Sequence, residues 1–235
     1  MRSTAMGDAR FRAFGVGCAK TGTNSLARMF ARDYRSAHEP QKHALLALIL
    51  DRNAQFAAAV RKLLDPLDLE MNASQLNGYI VDTLVALYPE AKFVLTLREP
   101  ASWVRSFANH QLTRGRLAHG SLWARFRNLR FLGEDGPEGN ALYTLDQYLR
   151  FWLSHNLNVL DAVPHERLLV VRTERLGADI PLLAEFLAID AATIAPARAN
   201  EGAYAAQSTP FDERKLADAA AQYAARFTQV SGIKF

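Results

Sequence analysis

Short apolar runs alternate with longer helical patterns along the chain. The clearest run is Lys92–Leu97, whose continuous apolar and β-branched residues are typical of a strand buried on both faces. Shorter runs predict further strands at residues 12–17, 34–38 and 167–171. Strands that alternate with helices predict an α/β fold of three layers, in which helices flank a central parallel sheet on both faces.

Apolar residues spaced three and four apart predict the helices that connect these strands. The predicted helices cover residues 24–32, 41–64 (as one or two pieces), 75–87, 100–110, 141–163, 180–187 and 211–227. Residues 113–140 predict a helix and a surface loop, and residues 191–209 predict a loop. Ligands of parallel sheets bind beyond the carboxyl ends of the strands. The loops expected to carry function therefore follow Gly17, His38, Leu97 and Val171.

The composition narrows the classes of function. With 235 residues, 49% of them hydrophobic and 22% charged, the chain is expected to form a single domain over residues 1–235 that is neither disordered nor fibrous. Cys18 is the only cysteine, which excludes an internal disulfide framework and favours a reducing, cytoplasmic setting. The net charge of +4 suits an anionic ligand without indicating nucleic acid.

No segment predicts a membrane anchor or a secretory signal. The longest apolar stretch, residues 44–50, is far too short to cross a bilayer, and residues 1–12 carry three arginines and no apolar run. The six histidines show no metal-ligand spacing, so the sequence predicts no metal site.

A glycine-containing loop follows the first predicted strand. Residues 17–25 read Gly-Cys-Ala-Lys-Thr-Gly-Thr-Asn-Ser and lead straight into a predicted helix. N–H groups at a helix start bind anions, Gly22 lets the backbone approach closely, and Lys20 adds a full positive charge. The loop differs from the nucleotide-triphosphate P-loop, in which the lysine follows the last glycine. The alternative is a plain glycine turn that caps the helix.

A second anion-binding pattern follows the clearest strand. Arg98 stands at the strand end, and Ser106 lies eight residues on, about two turns into the next helix. An arginine in this position offers two parallel N–H groups to a phosphate. The alternative is an ordinary arginine at a helix start, with Glu99 paired to Arg105 or Lys92.

Together the two patterns resemble the family of sulfotransferases that use 3′-phosphoadenosine-5′-phosphosulfate (PAPS). Lys-Thr-Gly-Thr-x-Ser after the first strand is similar to the family's 5′-phosphosulfate loop, and the pair of Arg98 and Ser106 is similar to its 3′-phosphate element. The resemblance implies a P-loop-like α/β fold that binds PAPS as co-substrate. The residues that it implies for this site are Lys20, Thr21, Gly22, Thr23, Asn24, Ser25, Arg98 and Ser106.

Further parts of the chain bear on the resemblance. The order of short motifs in residues 148–187 resembles that of the family's scaffold. The family's lysine also stabilises charge on the departing phosphate, so Lys20 is a catalytic as well as a binding candidate. Some members carry an Arg-Lys-Gly triplet near the C-terminus that contacts the 3′-phosphate. This chain has no such triplet, and Arg198, Asn200 and Gly202 match it only loosely.

Transfer to a hydroxyl requires a base that takes the acceptor proton. The resemblance implies a histidine or a glutamate in this role. Glu39, nineteen residues after Lys20, is the preferred base, with His38 as the alternate or the orienting partner. Asp82 is a further candidate and is as easily a helix-surface acid. Three polar residues that alternate along an extended segment are candidates for the acceptor pocket: Glu70, Asn72 and Ser74.

The acceptor itself stays open, because small molecules, saccharides and lipids all fit the sequence. One basic run either recognises an acidic acceptor or a membrane surface or forms a solvated helix face: Arg114, Arg116, Arg125, Arg127 and Arg130. The alternative functions are a P-loop-type small-molecule kinase, which the position of the lysine disfavours, and a non-catalytic nucleotide-binding protein of the same fold.

Overall fold

A computed structural model of the chain describes residues 11–113, 121–131, 142–197 and 211–235. Within these residues the strands are β1 (Ala13–Gly15), β2 (Ser36–His38), β3 (Met71–Ala73), β4 (Lys92–Leu97) and β5 (Leu168–Arg172). They form one sheet in the order β2-β3-β1-β4-β5, and every neighbouring pair is parallel.

Helices precede and follow the strands. They are α1 (Thr23–Phe30), α2 (Lys42–Leu50), α3 (Phe56–Leu64), α4 (Val81–Leu87), α5 (Pro100–Thr113), α6 (Leu122–Arg130), α7 (Leu145–Ala162), α8 (Ile180–Leu187) and α9 (Glu213–Ser231). α7 begins with a capping box, in which the Thr144 hydroxyl accepts from the Gln147 N–H group and the Gln147 side chain accepts from the Thr144 N–H group.

Alternating side chains of the sheet form two hydrophobic layers. Phe14 and Phe93 point to one face, where they pack with residues of α2, α3, α4 and α7. Ala13 and Val94, their neighbours along the strands, belong to the opposite layer, which contains residues of α1 and α8. α9 packs against α5 and α7. The three-layer α/β fold predicted from the sequence is therefore confirmed.

The strand order places a crevice between β1 and β4. These strands are neighbours, with Phe14 opposite Phe93. The chain leaves β1 toward β2 on one side of the sheet and leaves β4 toward β5 on the other side. Connections that diverge from adjacent strands leave an opening at their carboxyl ends, which is where ligands of open α/β sheets bind. Both anion-binding patterns of the sequence follow these two strands.

Several predicted elements change in the structure. The predicted helix at 41–64 is two helices, α2 and α3, and the one at 75–87 is a 3₁₀ turn at Asn77–Tyr79 followed by α4. β3 was not among the predicted strands, because it has three residues and a polar one, Asn72, in the middle. The helix expected within 113–140 is α6, and the remainder of that segment lies largely outside the described residues.

Candidate functional site

The loop between β1 and α1 turns tightly around the start of the helix. Lys20 and Gly22 both have left-handed backbone, with φ of 70° and 92°. No side chain of the described residues caps this end of α1. The first turn of a helix leaves N–H groups without a partner inside the helix, and the helix dipole adds positive potential there. With the Lys20 charge, this start of α1 is suited to binding an anion.

The loop is packed from the inside by Thr21, whose side chain is fully buried. The Thr21 hydroxyl donates to the main-chain oxygen of Cys18 at 2.7 Å and lies 2.8 Å from the hydroxyl of Thr96. A Cβ atom on Gly17 would come within 2.0 Å of the Thr96 hydroxyl oxygen, so the chain passes too closely here for any side chain. Phosphosulfate binding by Thr21 stays a prediction, because its hydroxyl shapes the loop in this structure.

Donors from distant elements hold the same loop from outside. The indole N–H of Trp103 in α5 donates to the main-chain oxygen of Ala19 at 2.8 Å. The hydroxyl of Thr173, directly after β5, donates to the main-chain oxygen of Thr21 at 2.7 Å. Each bond joins the loop to a part of the fold that is itself buried or hydrogen-bonded, so the loop conformation follows from the tertiary structure.

His155 of α7 supports the strand that leads into the loop. Its Nε2 atom lies 2.9 Å from the main-chain oxygen of Val16, and its ring is packed so closely on Gly78 that a Cβ atom there would lie 2.3 Å from the ring. Burial lowers the pKa of His155 to about 4. A neutral imidazole with its proton on Nε2 donates to the Val16 oxygen.

Arg98 connects the end of β4 to this loop. One of its terminal N–H groups donates to the main-chain oxygen of Lys20 at 3.2 Å, and its Nε donates to the hydroxyl of Ser102 at 2.7 Å. The indole N–H of Trp152 donates to the main-chain oxygen of Arg98 at 3.0 Å. Ser106 lies one turn beyond Ser102 on α5. The side chain of Arg98 is 28% exposed. Its burial lowers the pKa of the guanidinium, and the nearby carboxylates of Glu174 and Glu99 oppose this effect.

Sequence reasoning missed Ser102, although a signal was present. Ser102 stands four residues after Arg98, which follows the strand, and four residues before Ser106, one helical turn away on α5. Glu99 does not form the ion pair considered as an alternative. Its carboxylate accepts from the N–H groups of Ala101 and Ser102, at 2.9 and 2.7 Å, and so caps α5.

The two candidate bases lie at the carboxyl end of β2, where His38 is the last residue of the strand and Glu39 follows it. His38 is exposed, and its Nε2 lies 3.2 Å from the hydroxyl of Thr23 at the start of α1. Neighbouring protein atoms nevertheless remove part of the water around the His38 imidazole and so lower its pKa, the carboxylate of Glu39 opposes this effect, and Lys42 and Arg28 reinforce it. The β1–α1 loop and the turn after β2 therefore meet at this hydroxyl.

Glu39 has left-handed backbone, with φ of 50°, and its N–H group donates to the main-chain oxygen of Ala73. Its Oε1 accepts from Nε2 of Gln75 at 2.6 Å. Gln75 was not among the predicted site residues, because β3, which it follows closely, was not recognised as a strand. The polar residues at 70–75 were the available signal.

Several other predicted residues lie away from this edge or serve the scaffold. Asp82 is exposed and pairs with Arg52 at 2.8 Å. Glu70 precedes β3, at the opposite edge of the sheet, and accepts from the Arg35 N–H group. Asn72 is buried, and its main-chain oxygen accepts from Asn77. Five further residues considered in the sequence lie outside the described part of the chain: Arg114, Arg116, Arg198, Asn200 and Gly202.

The described residues contain neither a cluster of metal-ligating side chains nor a helix that could span a membrane. No three His, Cys, Asp or Glu side chains in ranges 11–113, 121–131, 142–197 and 211–235 are grouped so as to hold a metal ion. No helix in that part of the chain combines the length and the apolar character needed to span a membrane.

The site lies within a region that matches a known protein family. The family profile described as a sulfotransferase domain matches residues 12–204. The chain belongs to the sulfotransferase family. The match includes β1 to β5, both anion-binding loops and the turn that carries Glu39, so the family and the P-loop-like fold implied by the sequence are confirmed.

Solved sulfotransferases share this fold. One from Alicyclobacillus acidocaldarius is 18% identical, with a TM-score of 0.60 over 97% of this chain and 98% of its own. STF9 from Mycobacterium avium is 11% identical, with a TM-score of 0.55 over 98% of this chain and 79% of its own. A curated relative, Ava biosynthesis cluster protein M of Aspergillus versicolor, is 29% identical over an alignment of 103 residues, and the match covers 39% of this chain and 40% of that protein.

Proposed function

We propose that this sulfotransferase moves a sulfuryl group from PAPS to a hydroxyl or amine of its acceptor. Lys20 and the start of α1, with Gly22, Thr23, Asn24 and Ser25, bind the 5′-phosphosulfate. Arg98 and Ser106 bind the 3′-phosphate. Glu39 is the base that takes the acceptor proton, and His38 is its alternate.

The observation that carries this proposal is the contact between Arg98 and the main-chain oxygen of Lys20, at 3.2 Å. It joins two cationic elements that are 78 residues apart in the chain, at the crevice between β1 and β4. PAPS presents two separate phosphate-bearing positions, whereas the consecutive phosphates of ATP need only one loop. Two adjacent anion sites therefore favour PAPS over a nucleoside triphosphate.

The proposed reaction is an in-line displacement at sulfur. The acceptor oxygen forms a bond to sulfur on one side while the bond from sulfur to the 5′-phosphate oxygen breaks on the other. The acceptor proton passes to Glu39, and the electron pair of the broken bond leaves with adenosine 3′,5′-bisphosphate. Lys20 and the N–H groups of α1 stabilise the charge that develops on this leaving group, in positions that the fold fixes before the reaction.

The turn after β2 supports Glu39 as the base rather than His38. Glu39 is half-buried, and Gln75 holds one of its carboxylate oxygens at 2.6 Å. His38 is more exposed, and its Nε2 contacts Thr23 at the donor loop. A base must be held in a defined position against the acceptor. Small molecules, saccharides and lipids are the candidate acceptors, and a cytoplasmic location stays a prediction that cell fractionation checks.

Calorimetry with adenosine 3′,5′-bisphosphate tests the donor assignment. We expect micromolar binding that weakens about 100-fold in Arg98→Ala, because the 3′-phosphate loses a charged partner that can donate two parallel hydrogen bonds. Arg52→Ala is the matched control, since Arg52 is an exposed arginine paired with Asp82. Tight binding of magnesium-ATP without binding of the bisphosphate would refute the proposal. A screen of hydroxylated and amine acceptors with radiolabelled PAPS then identifies the acceptor class.

A further inference from the structure

Arg130 is a cation held between aromatic rings at the end of α6. Its guanidinium carbon lies 5.1 Å from the centre of the Phe107 ring, 4.8 Å from that of Phe126 and 5.5 Å from that of Phe151. Its Nε donates to the hydroxyl of Tyr79 at 3.0 Å. Contacts with ring faces on several sides, together with a hydrogen bond, leave the planar guanidinium little freedom to move.

A chain of hydrogen bonds runs from Arg130 to Glu39 through Gln75. A terminal N–H group of Arg130 donates to Oε1 of Gln75. Nε2 of the same amide donates to Oε1 of Glu39 at 2.6 Å. A guanidinium has only donors and an ionised carboxylate has only acceptors. The amide of Gln75 must therefore turn its oxygen to Arg130 and its nitrogen to Glu39, so the orientation of Gln75 follows from its two partners.

We propose that Arg130 is a positioning residue for Glu39 and acts through Gln75. By fixing the orientation of the Gln75 amide, Arg130 keeps the hydrogen bond to Oε1 of Glu39 in place. Oε2 of Glu39 is then the oxygen that accepts the proton of the acceptor. The chain of bonds joins α6 to the turns that follow β3 and β2, so it sets the base against the acceptor side of the crevice. The inference rests on the proposed role of Glu39 as the base.

Other cations near the turn make it necessary to separate charge from geometry. Arg28 from α1 and Lys42 from α2 both act on His38, the neighbour of Glu39. Loss of Arg130 removes one positive charge as well as one bond to Gln75. The experiment must therefore distinguish a remote charge from a partner that orients the amide.

Side-chain amide NMR of ¹⁵N-labelled protein tests the geometry without an acceptor. The Gln75 signal is assigned by its absence from Gln75→Leu. We expect Arg130→Met to shift that signal, and Arg130→Lys, which keeps the charge but not the planar fork, to shift it as well. Arg125→Met is the matched control, because Arg125 lies on the same helix and pairs at the surface with Asp51 at 3.0 Å. An unmoved Gln75 signal in both Arg130 variants overturns the proposal.

Turnover with the best acceptor from the screen tests the consequence. Gln75→Leu and Arg130→Met should each lower kcat about 10-fold and leave the KM for PAPS unchanged, since the first removes the hydrogen bond to the charged base and the second removes the hydrogen bond that orients Gln75. Because Arg130 acts through Gln75, the double variant should lose no more activity than Gln75→Leu alone. A further 10-fold loss in the double variant would show that Arg130 acts independently of Gln75, which contradicts the proposal.

The two proposals fail in different ways. Full turnover in Glu39→Gln removes the base role of Glu39, whatever happens to the Gln75 signal. Lost turnover in Glu39→Gln together with full turnover in Gln75→Leu removes only the positioning role of Arg130.

Discussion

The proposed donor and acceptor sides of the candidate site, called the donor side and the acceptor side below, are held by different kinds of bond. On the donor side, Trp103, Thr173 and Arg98 donate to main-chain oxygens of the β1–α1 loop. On the acceptor side, the carboxylate of Glu39 is held by the side chain of Gln75. A main-chain oxygen lies where the fold places it, whereas a side-chain partner also depends on its own rotamer.

This difference separates what the fold determines from what single residues determine. Three side chains from separate parts of the fold hold the donor loop, so its shape does not depend on any one of them. The position of Glu39 depends in addition on two side chains, Gln75 and Arg130, which a substitution can change without altering the sheet. We therefore expect variants of the two sides to have separable effects on donor binding and on transfer.

The largest separable effect is expected for Glu39→Gln. It should lower turnover about 100-fold or more, which is the usual contribution of a general base. Calorimetry should show unchanged binding of adenosine 3′,5′-bisphosphate, because Glu39 belongs to the acceptor side. Glu166→Gln is the control, since Glu166 is exposed in a short turn before β5. Weaker bisphosphate binding in Glu39→Gln would show that the two sides are not independent.

Gly17→Ala should disrupt the donor side. The added methyl group would lie 2.0 Å from the hydroxyl oxygen of Thr96 and 2.5 Å from that of Thr21. Overpacking of this kind costs about 3 kcal/mol. Denaturant unfolding measures the loss, and Gly177→Ala is the matched control because no residue other than its chain neighbours comes within 4 Å of its Cβ position. Normal stability and bisphosphate binding in Gly17→Ala would mean that the loop is adaptable rather than fixed.

His155 should make the stability of the donor side depend on pH. Its pKa falls from 6.5 to about 4 on folding, so between these values the unfolded chain takes up a proton that the folded chain does not. Stability should therefore be constant above pH 6.5 and fall by about 3 kcal/mol on acidification to pH 4.

Urea unfolding at a series of pH values measures this dependence. His155→Gln should remove most of the slope between pH 6.5 and 4, and His165→Gln, at an exposed position, should retain it. An unchanged slope in His155→Gln would assign the acid sensitivity to other groups.

The sequence marks the residues of the proposed donor side more clearly than those of the proposed acceptor side. The signals of the donor side are local in the sequence. A glycine-containing loop with a lysine follows β1, and Arg98 stands directly after the apolar strand β4, eight residues before Ser106. Gln75 was missed because the alternating polar residues at 70–74 were interpreted as the lining of a pocket, whereas they flank and include a strand of three residues that pairs with β1 and β2.

Arg130 shows why the remainder required tertiary structure. In the sequence it belongs to an arginine-rich run that suits a solvated helix face. In the fold, its ring contacts include Phe107 of α5 and Phe151 of α7, which are distant in the chain. Its neighbour Arg125 on the same helix is exposed, so charge alone does not distinguish the two residues.

The bond from Thr173 to the main-chain oxygen of Thr21 spans 152 residues. During synthesis, the β1–α1 loop is made near the start of the chain, but this partner emerges from the ribosome only after β5 has been made. A nascent chain that stops before Thr173 has every residue of the loop and lacks one of the contacts that fix its shape. We therefore expect the ability to bind the bisphosphate to arise late in folding, as a property of the assembled sheet.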